Sequence, residues 1–210
     1  MPNLSELLAD LSEETVLSIV GVRVKDGGNP SDILEELRSG MDIIGQRFAN
    51  SEYSLAELMM GAEIFRECMD LIQPSLDKSP ASMLGRIVIG TVKGDIHNLG
   101  KNIVSAMLRA AGFEVHDIGI NQSSEQFVEK AREVDADIIG LSCLMTNTLD
   151  SMRKTVMSIK GSGLTSKVMV GGGVFNRGVG DTSIRIEGAD GFGKNAIESV
   201  YLAKKLTHKD

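Results

Sequence analysis

Asp95 and His97 stand two residues apart in the segment Gly94-Asp95-Ile96-His97-Asn98-Leu99-Gly100. A carboxylate that takes one ring N–H of a histidine fixes its tautomer and makes the other nitrogen a better metal donor. Glycines on both sides let the backbone approach a ligand closely. Phosphate binding is the first alternative, because Gly94 through Gly100-Lys101-Asn102 resembles a P-loop. The glycines are one residue too far apart for that motif, however, and Asn102 stands where it needs a Ser or Thr for its metal. The dinucleotide pattern G-x-G-x-x-G is also missing after the first strand. Zinc would need further ligands, yet His116 and His208 lie far off in sequence and Cys68 and Cys143 are dispersed. One histidine with its orienting carboxylate suits a metal whose other positions are filled by a macrocycle. A histidine merely capping a helix is the plainer alternative, and the loops that would lie beside it weigh against that.

The elements that must position this pair are legible from hydrophobic periodicity. Ile87 to Val92 reads as a buried strand, and Ile103, Val104, Met107 and Leu108 give a helical pattern after the loop. Further short apolar runs follow at Phe113 to Ile118, Asp137 to Ser142, Lys167 to Val170 and, weakly, Asp190-Gly191-Phe192. Helices are expected near 99 to 111, 123 to 134, 148 to 161, 177 to 187 and 195 to 206, with Ser123 and Gln126 as a capping box. Strand and helix alternating in this way imply an α/β doubly wound parallel five-stranded sheet. Ligands bind at the carboxyl edge of such a sheet. Its topology gathers three loops there, at 93 to 100, 142 to 148 and 171 to 177.

Upstream, residues 3 to about 77 read as wholly helical. Leu4, Leu7, Leu8 and Leu11 share one face, a second helix covers Glu13 to Lys25, and Asn29 or Ser31 caps a third carrying Leu34, Leu37, Met41, Ile44 and Phe48. The fourth carries Leu58, Ala62, Phe65, Met69 and Ile72 on one face. Tyr53, Met60 and Ile64 form a second apolar stripe there, expected as loose core packing or as a lid. Gln73-Pro74 and Lys78-Ser79-Pro80 mark a helix end and a linker. The expected organisation is a helical domain over 1–78, a linker over 79–85 and an α/β domain over 86–210.

With 210 residues and a net charge of −7, the chain has room for a large core and lacks the basic cluster that nucleic acid would demand. Its apolar runs are too short for a bilayer, so no membrane partner is expected, and the N-terminus shows no basic-then-apolar signal, which points to the cytoplasm. The two cysteines are expected as buried free thiols.

Three motifs in order, Asp95-Ile96-His97-Asn98-Leu99-Gly100 as D-x-H-x-x-G, Ser142-Cys143-Leu144-Met145-Thr146 as S-x-L-x-T, and Gly171-Gly172-Gly173, resemble the methyltransferase corrinoid proteins. That family is related to the cobalamin module of methionine synthase. The resemblance covers nearly the whole chain, with residues Tyr53 to Ala62 similar to the family's helical cap. It implies a Rossmann-like or flavodoxin-like cobalamin-binding fold under an N-terminal helical bundle cap. It also implies cobalamin or a related corrinoid, base-off, in methylcobalamin and cob(I)alamin states, with His97 as the lower axial ligand to cobalt. Asp95 would bond His97, and Ser142 would complete an axial-ligand relay. Cofactor contacts would come from Gly94, Asp95, Ile96, His97, Asn98, Leu99 and Gly100. The nucleotide tail would enter a slot lined by Ser142, Leu144, Thr146, Gly171, Gly172, Gly173 and the turn near Gly191, and Tyr53 and Met60 would cover the methyl face. Asn98 replaces the family's usual aspartate, and Ser54 and Ala56 replace the cap's usual Phe and Pro.

The resemblance further implies a corrinoid subunit of a multi-component system and not a complete enzyme. Its partners would be a substrate-specific corrinoid methyltransferase, an acceptor methyltransferase using tetrahydrofolate or a thiol coenzyme, and a reductive activator of corrinoid proteins. A cobalamin-dependent regulator and a cofactor-free flavodoxin-like signalling domain are the competing readings. The methyl donor, among methanol, methylamines, betaine and aryl methyl ethers, stays open.

Overall fold

Apolar residues at three- and four-residue spacing build the first of two units into which the computed structural model divides after residue 82. The structure describes residues 3–76, 83–176 and 185–207. Helices α1 (Leu4–Ala9), α2 (Glu13–Lys25), α3 (Pro30–Ala49) and α4 (Leu55–Leu76) make up this unit. Asn29 is the cap of α3, its side chain accepting from Ser31 N at 3.1 Å, and Pro30 opens the helix with the φ it already prefers. Leu8, Val20, Leu37, Ile44, Leu58 and Ile72 are fully or almost fully buried, each contributing roughly 1.5–3 kcal/mol of transfer free energy.

Three expectations for this unit change. Leu11 lies beyond α1 at φ 56, in a left-handed turn that ends the helix. Pro74 does not end α4, which runs to Leu76; its ring forfeits the one backbone bond its N–H would have made to the preceding turn. Ile64 is buried within the unit and Met60 is about half exposed, so the two do not form one open stripe.

The second unit begins with β1 (Arg86–Thr91), whose Ile87, Val88 and Ile89 are buried on both faces, as a central parallel strand requires. It continues through α5 (Leu99–Ala110), β2 (Glu114–Asp117), α6 (Ser124–Glu133), β3 (Ile138–Ser142), α7 (Leu149–Gly161), β4 (Lys167–Gly171), β5 (Gly191–Gly193) and α8 (Ala196–Thr207). Short 3-10 turns at Thr146–Thr148 and Gly173–Asn176 lie after β3 and β4. The capping box expected for α6 is present, Ser123 N donating to Gln126 Oε1 at 2.8 Å. The expected helix over 177 to 187 falls mostly outside the described residues, and 185–187 are not helical.

All five strands are parallel in the order β2-β1-β3-β4-β5. One face packs Val88, Ile139, Leu141, Val168 and Val170 against Phe127 of α6 and Met152, Val156 and Ile159 of α7. The chain leaves β1 toward one side of the sheet and β3 toward the other. Right-handed crossovers then place the intervening helices on opposite faces and open a crevice between the loops after β1 and β3. The pairings Thr91 with Ser142, Ser142 with Gly171 and Gly171 with Gly193 set the four strand ends level along that edge.

Candidate functional site

Gly94 opens the loop after β1 with φ +88, a conformation that costs a side chain about 1–2 kcal/mol, and its N–H donates to Asn121 Oδ1 at 2.7 Å. The next residue, Asp95, turns inward and is fully buried. Its Oδ1 accepts the backbone N–H of His97 at 3.0 Å and lies 2.8 Å from His97 Nδ1. Its Oδ2 accepts Leu144 N at 2.7 Å, Met145 N at 3.3 Å and the Thr148 hydroxyl at 3.3 Å. Burial opposes ionisation of this carboxyl, but the bonds donated by His97, Leu144 and Met145 outweigh it and hold the group below the ordinary carboxylate range.

An ionised Asp95 only accepts, so Nδ1 of His97 carries a proton, and the tautomer this selects is the one whose Nε2 presents its lone pair. The imidazole is 45% exposed, and Nε2 has no hydrogen-bond partner among the described residues. Around it, Ile96 (67% exposed), Leu99 (53%), Met145 and Ile120 stand in solvent at the ends of β1, β2 and β3. So much apolar surface beside one free imidazole nitrogen fits a broad, flat, largely apolar ligand bearing a metal with one protein-facing position. Among the described residues no three His, Cys, Asp or Glu side chains come together as a metal-ion set. Asn98 shapes the entry to α5, its carbonyl accepting from Asn102 N at 2.8 Å, and Gly100 has open space where a side chain would stand.

The hydroxyl expected from Ser142 comes instead from Thr148. Ser142 ends β3 with its side chain on the face opposite Leu141, and its hydroxyl bonds neither Asp95 nor His97. The chain then turns back through Thr146–Thr148 and delivers a buried hydroxyl to the carboxylate just before α7. Cys143 lies behind it, its Sγ 3.1 Å from Thr148 Oγ1, and burial foremost pushes its thiol up, keeping it protonated.

Of the expected slot residues, Ser142 and Gly171 are paired in register, and Leu144 and Thr146 lie on the loop after β3. Gly172 has φ +119, and a Cβ there would overlap the Cys143 carbonyl; at Gly173 it would overlap only the Leu144 side-chain tip. Gly191 is placed differently from expectation. It pairs with Met169, before the edge, and the space of its missing side chain is taken by Leu202 of α8. Gly193, paired with Gly171, is the β5 glycine at the edge. Tyr53 and Met60 belong to the first unit, where Tyr53 Oη donates to Ala9 O at 2.7 Å and accepts from Arg47 at 2.8 Å. Asn121, Thr148 and Gly193 were not singled out from sequence; a hydroxyl residue directly before a helical pattern was the available signal for Thr148.

Residues 85–200 match the family model described as B12 binding domain, and residues 3–73 match a second model of the same description. The chain belongs to the B12-binding corrinoid proteins. It is 40% identical over 210 residues to a dimethylamine corrinoid protein of Methanosarcina barkeri, covering 98% of this chain and 96% of that one. The crystal structure of a cobalamin-binding protein from Desulfitobacterium hafniense superposes with a TM-score of 0.76 at 34% identity, covering 97% of this chain and 96% of that one. The methanol:cobalamin methyltransferase complex of Methanosarcina barkeri shares the fold, with a TM-score of 0.82 at 22% identity over 99% of this chain and 79% of that one. The B12-binding models and the corrinoid-protein relatives support a corrinoid cofactor for this chain. The long helices do not alter that reading, since none among the described residues is long and apolar enough to cross a membrane.

Proposed function

We propose that the chain carries a methyl group on a corrinoid ligated from below by His97. It would receive the group from a substrate:corrinoid methyltransferase and yield it to a second methyltransferase whose acceptor is tetrahydrofolate or a thiol coenzyme. The observation that supports this most directly is the free, half-exposed Nε2 of His97 above a buried, ionised Asp95. When bound, the corrinoid supplies a cobalt centre able to accept and release a methyl group.

The chain's own residues do the rest. Asp95 holds the His97 ring in the tautomer that keeps Nε2 available, and its charge raises the donor strength of that nitrogen. Leu144, Met145 and Thr148 hold the carboxylate so that it cannot turn away. Thr148, in the place foreseen for Ser142, completes the set around it. Ile96, Leu99, Ile120 and Met145 would offer apolar surface to the macrocycle. Ser142 and the glycine turn at Gly171 and Gly172 would offer close backbone approach to a nucleotide tail. A methylated amine is the first donor class to test, given the dimethylamine relatives, and a reductive activator is a further expected partner.

The test is binding of hydroxocobalamin to the corrinoid-free full chain, followed by removal of excess and a visible spectrum. The parent should retain one corrinoid with histidine ligation, and His97→Ala should retain the fold and lose that ligation. No corrinoid retained by the parent, or an unchanged His97→Ala spectrum, would sink the reading.

A further inference from the structure

Lys101 is a buried cation with no part in the chemistry above: the residue is 3% exposed, in the first turn of α5, four residues beyond His97. Its Nζ pairs with Asp117 Oδ2 at the end of β2 and donates to Asn102 Oδ1 at 2.8 Å. From Asp117 onward the chain is tied back to the His97 loop. Asp117 Oδ1 accepts Gly119 N at 2.9 Å, and Gly119 O accepts Thr91 N at 2.9 Å, just before that loop. Asn121, held at φ 55, donates its N–H to Asp95 O at 3.0 Å and accepts Gly94 N on its side chain. The upstream half of the His97 loop is therefore fixed through residues 117–122. Its downstream half is fixed through Lys101 to the same segment.

We infer that the Lys101–Asp117 pair is a positioning device that closes this ring and sets the direction of the His97 imidazole. The inference rests on the proposed role of His97 as ligand. Lys101 is buried while the Asp117 side chain is 24% exposed, so the pair stabilises little over an apolar one, desolvation of the ammonium offsetting an attraction that solvent partly screens. What it adds is a single allowed geometry, and it adds that at the loop whose angle decides whether Nε2 meets a metal. Lys101 is a positioning residue, acting through Asp117 and the α5 terminus, and it need not touch the cofactor.

The experiment compares the parent with Lys101→Met/Asp117→Leu in the full chain. Because an apolar pair replaces the ion pair, the double variant should melt within about 4 °C of the parent. In the corrinoid-free protein, the His97 amide, bonded to Asp95, should exchange about tenfold faster while the β1 amides exchange as before. With hydroxocobalamin bound, the histidine-ligated spectrum should weaken and the corrinoid dissociation constant should rise about tenfold. Unchanged His97 exchange together with unchanged axial ligation overturns the positioning role, and so does a loss of stability spread evenly over β1 and the loop. If the double variant does not fold, Asp117→Asn, which leaves Lys101 a neutral acceptor, is read in the same two ways. If the parent itself binds no corrinoid, the ligand reading falls, and the exchange measurement alone decides the inference.

Discussion

Replacing Asp95 by Asn tests the site with one atom changed. Both carboxylate oxygens are acceptors in the folded chain: Oδ1 for the His97 backbone N–H at 3.0 Å and ring nitrogen, Oδ2 for Leu144 N at 2.7 Å, Met145 N and Thr148. An amide keeps one acceptor and puts an NH2 group in place of the other. Turned one way the NH2 faces His97 N–H; turned the other, it faces Leu144 N–H. Either orientation strands at least one buried donor, at about 1–3 kcal/mol. The surviving bonds also lose their charge assistance, roughly half their strength. Together the corrinoid-free chain should lose about 2–4 kcal/mol. The assay is hydrogen exchange of the slowest β1 and β3 amides, which open only when the second unit unfolds. Asp95→Ala, which strands every donor, should lose more. A loss below about 1 kcal/mol for Asn, or an Ala variant no worse than Asn, would refute the claim that this carboxylate organises the two loops.

Gly172→Ala should destabilise the second unit by about 3 kcal/mol or more, from its positive φ and its overlap with the Cys143 carbonyl, whereas Gly173→Ala, which meets only the movable tip of Leu144, should cost much less; urea titration of both variants checks the contrast. Cys68 is fully buried and its thiol is pushed up to about 12, first by burial and then by Glu67, so it should resist alkylation at pH 8 in the folded chain and react once unfolded. The sign of the linked pH effect follows. Below an unfolded thiol value of about 8.5 both states hold the proton, and above it the unfolded state alone releases it, so this thiol lowers stability by up to about 1.4 kcal/mol per pH unit toward the folded value, a contribution that Cys68→Ala should remove while that of the buried Cys143 stays. Tyr53→Phe gives up the bonds to Ala9 O and Arg47 and should cost the first unit about 1 kcal/mol in thermal unfolding.

The strands were legible because a parallel sheet buried on both faces needs uninterrupted apolar runs, and Ile87-Val88-Ile89 and Ile138-Ile139 supply them. The Asp95–His97 contact was legible because two residues of a tight loop bring those side chains together without help from afar. Thr148 was not, because its approach depends on a 3-10 turn whose path no periodicity announces; alternation along β3 tells only which face Ser142 takes. Gly191 and Gly193 carry the same sequence signal and both face α8, so only the register of β5 with β4, which pairs Gly191 with Met169 and Gly193 with Gly171, tells which of them lies level with the edge. Pro74 misled because a proline removes the bond its own N–H would make one turn back but does not stop the two residues after it from staying helical.

The bond from Leu144 N to Asp95 joins residues 49 apart. The short segment around His97 therefore brings carboxylate and imidazole together but does not by itself hold the carboxylate in place. That hold comes only once β1 and β3 have paired, so the Asp95–His97 pair is fixed by the slow, non-local step of folding as well as by the local turn. During synthesis the chain must expose residues through Thr148 before it owns a competent site, and a slipped β1–β3 register, by turning the wrong side chains to the edge, would leave it without one. On the proposed reading, corrinoid capture would act as a proofreading step, open only to chains whose central sheet has closed correctly.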